Sequence, residues 1–186
     1  MATEITKKLF TVGDYFRMAE AGILSEDDRV ELIHGEVLAM SPIGARHAAA
    51  VDRATRALVH VTGERAIVRI QGPVGLDQYS MPQPDIVLLR PKEDFYSAQH
   101  PSPADILLIV EVADSSLKYD RTIKKQLYAE AGIPEYWIAD LTTDSLLAYS
   151  ETSHDSYQAM HRLHRGDSIA PRLLPECQVR IDVLLP

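Results

Sequence analysis

The spacing of apolar residues along the chain predicts three helices. Between residues 46 and 62 small and apolar side chains recur every three or four positions, at Ala50, Ala54, Leu58 and Val61. This repeat is typical of the buried face of a helix, and Gly63 marks its end. A shorter helix begins near Thr11, where Asp14 completes the spacing of a capping box, and a third helix spans about residues 120–131.

Runs of β-branched and apolar residues between the helices predict the strands of a mixed sheet. The strand at 105–113 contains an uninterrupted apolar run, which is typical of a strand covered on both faces. The pair His34-Gly35 lies between two short runs and predicts a β-hairpin of residues 30–33 and 36–40. The other predicted strands are residues 66–71, 84–90, 135–140, 145–149, 157–164 and 178–185. The pattern predicts an α/β fold with a mixed central β-sheet flanked by helices.

Two strands joined through a loop centred near Ala98 predict a pair of facing carboxylates. The loop is rich in Pro, Ser and charged residues, which favours an antiparallel pairing of the strands on either side. With a symmetric loop, residue i faces residue 196 minus i, so Asp85 faces Glu111. Directly opposed residues share one face of a sheet, with Cβ atoms about 4.5–5.5 Å apart.

Paired carboxylates of this kind predict a site for a divalent metal. Two ionised carboxylates repel each other unless a proton or a cation lies between them. Mg²⁺ takes oxygen ligands, keeps several waters and leaves room for a substrate phosphate, and Mn²⁺ is the related alternative. The structural interpretation is that Asp85 only begins a strand after Pro84, and that Glu111 only ends one in solvent.

A lysine on the following helix is a candidate basic partner of these carboxylates. Lys124 and Lys125 lie one turn into the helix, and adjacent side chains differ in direction by about 100°, so only one can point to the site. Lys124 and Tyr128 lie together beside the predicted apolar stripe of Ile123, Leu127 and Ala131. The alternative interpretation is an ordinary solvated helix face.

Basic residues on the long helix are candidates for contact with nucleic acid. Arg46, Arg53 and Arg56 fall at roughly helical spacing with His60 beyond them, and Asp52 interrupts the series. His47 lies at the helix start, where it is suited to contact phosphate or a metal-bound water. The alternatives are a solvated face of mixed charge and a structural histidine.

Composition restricts the classes of function. The 186 residues fit one domain, residues 1–186, and the net charge of -8 disfavours a protein whose whole surface binds nucleic acid, leaving a local basic patch. Cys177 is the only cysteine, so an intrachain disulfide is excluded. No apolar run approaches the ~20 residues of a membrane helix, and the N-terminus lacks an apolar signal region. We therefore expect a cytoplasmic protein without a membrane partner.

Several sequence blocks together resemble the Uma family of restriction-endonuclease-like proteins, within the PD-(D/E)xK nuclease superfamily. The blocks are Arg29–Val37, Ser41-Pro42 with His47, Pro82–Val87, Val110–Val112, and Asp120-Arg121 with Lys124, Tyr128 and residues 131–137. The resemblance runs from about residue 10 to the C-terminus. It implies a restriction-endonuclease-like core, with Asp85 and Glu111 as acidic ligands and Mg²⁺ as the cofactor.

The resemblance also assigns roles to two further residues. Glu31 matches the acidic residue of the first block, which implies an added ligand or a water-positioning group, whereas a surface ion pair with Arg29 is the structural alternative. The superfamily pattern has lysine two residues after the acidic strand residue, where this chain has Ala113. Lys124 matches the family's lysine on the next helix.

The leading hypothesis is a metal-dependent endonuclease that hydrolyses phosphodiester bonds of nucleic acid, with DNA as the expected substrate. The Val112 carbonyl joins Asp85 and Glu111 as a third metal ligand, and Lys124 supports developing charge. The alternative is a non-catalytic protein of the same fold that binds nucleic acid or a protein. A glycosidase with two carboxylates is a third interpretation, which the single Trp disfavours. A homodimer is compatible with the nuclease hypothesis, because cutting both strands usually needs two sites.

Overall fold

The chain divides into two compact units. The computed structural model describes residues 6–25 and 27–186, so residues 1–5, where we expect no signal segment, lie outside the described residues. One unit comprises residues 1–42 and 75–82, and the other comprises residues 43–74 and 83–186. That residues 1–186 act as one domain stays a prediction.

The first unit contains one helix and a β-hairpin. Helix α1, Val12–Glu20, begins with the predicted capping box, in which the Asp14 N–H donates to the Thr11 hydroxyl at 3.1 Å. Strands β1, Val30–Ile33, and β2, Glu36–Ala39, pair antiparallel. The two turn residues between them both have positive φ, 49° and 78°, as a tight hairpin turn requires. The predicted first helix and hairpin are therefore confirmed.

The second unit contains the main sheet, the long helix and the other elements. The helices are α2 Ala45–Thr62, α3 Leu117–Tyr119, α4 Lys125–Glu130 and α5 Ile181–Leu184, with a π-helical turn, Asp120–Lys124, between α3 and α4. The strands are β3 Ile67–Ile70, β4 Ile86–Leu89, β5 Ile106–Ala113, β6 Glu135–Asp140, β7 Ser145–Ser153, β8 Ser156–His164, β9 Ser168–Ile169 and β10 Val179–Arg180. Short 3₁₀ turns lie at Gly63–Arg65 and Pro103–Asp105.

A six-stranded mixed sheet organises the second unit. Its strand order is β3-β4-β5-β6-β7-β8, and β5 and β6 are its parallel pair while the other neighbours are antiparallel. The parallel pair needs a crossover connection, which α3, the π-helical turn and α4 supply. The predicted α/β fold with a mixed central sheet flanked by helices is confirmed.

The β4–β5 register follows the predicted relation. Ile86 pairs with Val110, Val87 with Ile109 and Leu88 with Leu108, and the residue numbers of each pair add to 196. An irregularity after Leu88 shifts the next pairing by one residue. The regular part of the β4–β5 pairing ends at Ile86 and Val110. The next residues, Asp85 and Glu111, therefore lie opposite each other.

The core of this unit lies on both faces of the sheet. All eight residues of β5 are buried, as its apolar run predicts. On one face α2 contributes Ala50, Val51, Ala54 and Leu58 to a core that includes Trp137. The other face carries packed tyrosine rings, with the Tyr128 and Tyr136 centroids 5.0 Å apart. Burial on both faces fixes β5 firmly, and with it the position of Glu111.

Two predictions about the C-terminal half were wrong. Residues 178–185 form the two-residue β10 and then α5, because Ile181, Leu184 and Leu185 bury a face that suits a helical turn as well as a strand. Ile123 does not belong to a buried stripe, since it is 42% exposed. The π-helical turn changes the direction of side chains relative to a regular helix, and buries Lys124 instead.

Within the described residues, no helix is both long and apolar enough to span a membrane.

Gly35 provides a test of the first unit. A Cβ added there would lie 2.7 Å from the Leu9 Cβ, and the residue has φ +78°. Gly22 has a similar φ of +70° but no atom within 4 Å of an added Cβ. We expect both Gly→Ala substitutions to cost about 1 kcal/mol for the left-handed backbone. Gly35→Ala should cost measurably more in the free energy of unfolding by urea, and equal losses would contradict the close packing at Leu9.

Candidate active site

Asp85 is anchored at the start of β4 by both of its carboxylate oxygens. Its Oδ2 accepts a hydrogen bond from the Val112 N–H at 2.9 Å. Its Oδ1 lies 3.0 Å from the His47 Nε2 and 3.5 Å from the Gln71 Nε2. The side chain is 13% exposed. Asp85 is therefore more than a residue that begins a strand after Pro84.

Glu111 is more deeply buried than Asp85, at 3% exposure. Its Oε1 accepts hydrogen bonds from the Lys124 Nζ at 2.9 Å and the Tyr128 hydroxyl at 2.8 Å. Its Oε2 accepts the Asp85 N–H at 3.1 Å. The interpretation of Glu111 as a solvent-facing strand end was wrong, because β5 is a central strand covered on both faces.

The two carboxylates are joined through each other's strand. Asp85 accepts the N–H of the residue after Glu111, while Glu111 accepts the N–H of Asp85 itself. Antiparallel pairing brings the two side chains to one place, and these hydrogen bonds then fix their orientation. The sequence predicted the proximity from the register; the reciprocal backbone hydrogen bonds appear only in the structure.

Burial and neighbouring charges separate the pKa values of the two acids. Burial raises the pKa of Glu111 to about 8, with Asp85 and Asp120 also raising it, and the Lys124 ammonium opposes this shift. Burial also acts to raise the pKa of Asp85, but the His47 hydrogen bond and charge, the Val112 N–H and Lys124 together lower it. The site thus pairs an ionised Asp85 with a glutamate that readily holds a proton.

Lys124, and not Lys125, lies at the carboxylates. Lys124 is 6% exposed and bonds to Glu111, whereas the Lys125 Nζ lies 5.7 Å from the Tyr149 ring centroid. The predicted choice between the two lysines is confirmed in its geometry. Lys124 is the last residue of the π-helical turn, and Tyr128 follows one helical turn later on the same face. Both donate to the same oxygen of Glu111.

Glu31 lies in the first unit, on β1 opposite Leu38, and is buried. The alternative of a surface ion pair with Arg29 was wrong, because the Arg29 guanidinium donates to the Ser41 carbonyl at 2.8 Å. Glu31 acts on its surroundings, contributing with burial to a raised pKa of Tyr15. Its role as an added ligand or water-positioning group stays a prediction.

The three residues predicted to contact nucleic acid lie in different surroundings. The Arg46 guanidinium donates to the Leu141 carbonyl at 2.6 Å and lies 3.6 Å from Asp114. His47 is directed to Asp85. Arg53 is exposed, about 240° around the helix from His47. Arg46 and His47 therefore adjoin the ends of β4, β5 and β6, whereas Arg53 lies on the outer face of α2.

The donor set is compatible with a magnesium ion that keeps most of its waters. No group of three or more His, Cys, Asp or Glu within the described residues is arranged to hold a metal ion by side chains alone. Two carboxylates and a backbone carbonyl are nevertheless the hard oxygen donors that Mg²⁺ prefers, because this ion commonly uses one or two carboxylates and several waters. The raised pKa of Glu111 points the same way, since a cation can take the place of the proton.

Two residues of the site were not singled out by the sequence for their contacts here. Tyr128 has a recognisable signal, because it follows Lys124 by four positions on one helix. Gln71 follows the end of β3 and reaches Asp85 through a positive φ of 46°, for which the sequence carries no signal.

This fold and site define a protein of restriction-endonuclease-like architecture. A solved structure from Anabaena variabilis ATCC 29413, described as "a putative nuclease belonging to DUF820", superposes with a TM-score of 0.71 at 14% identity, covering 94% of this chain and 97% of that one. Residues 12–183 match Uma2, described as "Putative restriction endonuclease", and the chain belongs to this family. No curated protein matches the chain. The family description supports a nuclease-like function.

The raised pKa of Glu111 predicts how stability depends on pH without metal. The unfolded chain loses this proton near the ordinary pKa of 4.5, whereas the folded chain keeps it up to about 8. Between these values the folded state binds more protons, so this residue's contribution to stability falls as pH rises. We expect the free energy of unfolding of the native protein, minus that of Glu111→Gln, to decrease from pH 5 to pH 8. Urea titrations in EDTA at several pH values would measure it, and a constant difference would contradict the shift.

Proposed function

We propose that this protein is a Mg²⁺-dependent endonuclease that hydrolyses phosphodiester bonds of DNA. The observation that carries the proposal is the connected cluster of Asp85, Glu111, Lys124 and His47 at the ends of two central strands. Two acids and a lysine held together at a strand end match what the family resemblance implies. The deep burial of Glu111 and Lys124 also supports a dedicated role, since an ion pair there is costly to build for stability alone.

Asp85, Glu111 and the Val112 carbonyl would hold the metal ion. When bound, Mg²⁺, or Mn²⁺ in its place, supplies Lewis-acid polarisation of the phosphate and lowers the pKa of a bound water. The Val112 N–H already donates to one oxygen of Asp85, so the backbone of Val112 lies next to the carboxylate that would share the metal ion with it. His47 orients the other oxygen of Asp85, and Lys124 with Tyr128 orients Glu111.

The basic groups near the cluster would position the substrate. Lys124 places one ammonium beside the carboxylates, where it would stabilise charge that develops on the phosphoryl group. Arg46, in the first turn of α2 next to His47, would contact a backbone phosphate. A chain with a net charge of -8 needs such local cations to bind nucleic acid at all.

Other functions receive less support from the same site. A non-catalytic interaction protein is favoured only by the acidic composition. A glycosidase is disfavoured further by the structure, because the single Trp, Trp137, is fully buried and cannot stack on a sugar. A glycosidase mechanism also gives no role to Lys124, whose ammonium donates to Glu111, one of the two acids.

Nicking of supercoiled plasmid DNA tests the proposed activity. We expect cleavage with Mg²⁺ or Mn²⁺, none with EDTA, and none for Asp85→Ala. Metal should also raise the melting temperature of the native protein, because only the folded state binds it, and Asp85→Ala should lose this shift. No cleavage by the folded, metal-stabilised protein would favour the non-catalytic interpretation, and no effect of metal on melting would contradict the metal site.

Lys124 and Lys125 form a matched pair for testing the basic residue. Lys124→Ala should leave metal binding nearly intact and reduce cleavage by about 10²–10³-fold, the effect of losing one stabilising donor. Lys125→Ala should change cleavage little, because its ammonium lies over Tyr149 and not at the carboxylates. Single-turnover cleavage rates measure both. Equal losses for the two variants would contradict the assignment.

A further inference from the structure

A groove on the second unit lies apart from the carboxylate cluster. It runs between the second half of α2 and the C-terminal segment, and it encloses about 800 Å³. Arg53, Arg56 and His60 line it from α2, and Arg180 lines it from the other side. No carboxylate is among the lining residues. Arg180 is paired with Asp182 at 3.0 Å, so the uncompensated positive charge of the groove comes from Arg53 and Arg56, on a chain whose net charge is -8.

Two of these arginines have no partner within the described part of the chain. Arg53 and Arg56 are exposed and make neither an ion pair nor a hydrogen bond there. Most other exposed arginines are paired locally, as Arg165 is with Asp144 and Arg172 with Glu151. In a chain with 27 acidic and 19 basic residues, two adjacent unpaired guanidinium groups on one groove are not explained by folding.

The groove is also apolar. Five of its ten lining residues are valine or alanine, and two of them, Val59 and Val183, are 51% and 42% exposed. Exposed valines beside unpaired arginines suit an occupant that is both apolar and acidic. A nucleic-acid strand fits less well, because half of the lining is valine or alanine and His60 is the one lining residue with a ring on which a base could stack.

The chain carries a surface of the complementary kind in its first unit. Helix α1 has no buried residue, and Phe16 on it and Ile23 after it are exposed. Glu20 and Asp27 are exposed acids that pair with nothing among the described residues. We call these four residues, Phe16, Glu20, Ile23 and Asp27, the α1 surface. They combine unpaired acids and exposed apolar side chains within one short segment of the chain, as the groove combines unpaired arginines and exposed valines.

We propose that the groove binds the α1 surface of a second copy of this chain, through ion pairs of Arg53 and Arg56 with Glu20 and Asp27 around an apolar contact. The contact joins two different surfaces and is therefore heterologous, so one contact links two copies and successive contacts build larger assemblies. An isologous contact of groove with groove is disfavoured, because it would bring like charges together.

Sedimentation velocity over a range of protein concentrations tests this dimer without metal or nucleic acid, so its result is separate from that of the nuclease assay. We expect the native chain to dimerise. The double variant Arg53→Glu/Arg56→Glu should weaken self-association about tenfold or more, and the double variant Glu20→Arg/Asp27→Arg should weaken it by a similar factor. The matched control is Arg121→Glu, which reverses another exposed and unpaired arginine outside the groove. It should leave self-association unchanged, and circular dichroism verifies that every variant is folded.

Mixing the two double variants is the decisive step. Each alone sets like charges against each other, but in the mixture the glutamate groove meets the arginine surface and the native groove meets the native acids. Dimers should therefore return in the mixture alone. A native chain that is monomeric at about 100 μM, groove variants that dimerise normally, or groove variants that lose only affinity for a DNA duplex would each overturn the proposal.

Discussion

The reciprocal hydrogen bonding of Asp85 and Glu111 across two central strands is the interaction on which the candidate site depends. Each carboxylate accepts a backbone N–H from the strand of the other, so neither can turn away without leaving a buried donor unsatisfied. The strands cannot slide either, because β5 is packed on both faces and a shift of one residue would reverse every side chain. The candidate site therefore lies on a rigid part of the fold.

Holding two acids together in the interior has an electrostatic cost, which three neighbours reduce. Lys124 and Tyr128 both donate to Glu111, and His47 bonds to Asp85. Glu111 nevertheless retains a pKa near 8, which means that the lysine alone does not fully stabilise its charge in so buried a place. A divalent cation would complete the neutralisation. The same balance makes the contribution of Glu111 to the stability of the metal-free protein fall as pH rises.

The π-helical turn explains how a lysine reaches the site although the strand position two residues after Glu111 holds Ala113. It delivers Lys124 to the buried side of the crossover connection, and α4 continues so that Tyr128 meets the same oxygen. π-Helical turns cost hydrogen-bond quality and recur at functional sites. Because Lys125 is directed to Tyr149 instead, the turn places two chemically identical neighbours in different surroundings.

The family resemblance pointed to Lys124, and the sequence pattern by itself determined the mixed α/β fold, the hairpin at His34-Gly35 and the β4–β5 register. Each of these follows from local periodicity, turn chemistry or simple strand counting. Only the tertiary structure decided that Ile181–Leu184 is helical, that Ile123 is exposed, and that His47 reaches Asp85. A short apolar run suits a strand or a helix equally until its packing partner is known. A contact between residues 38 positions apart depends on how α2 packs against the sheet, which no local pattern encodes.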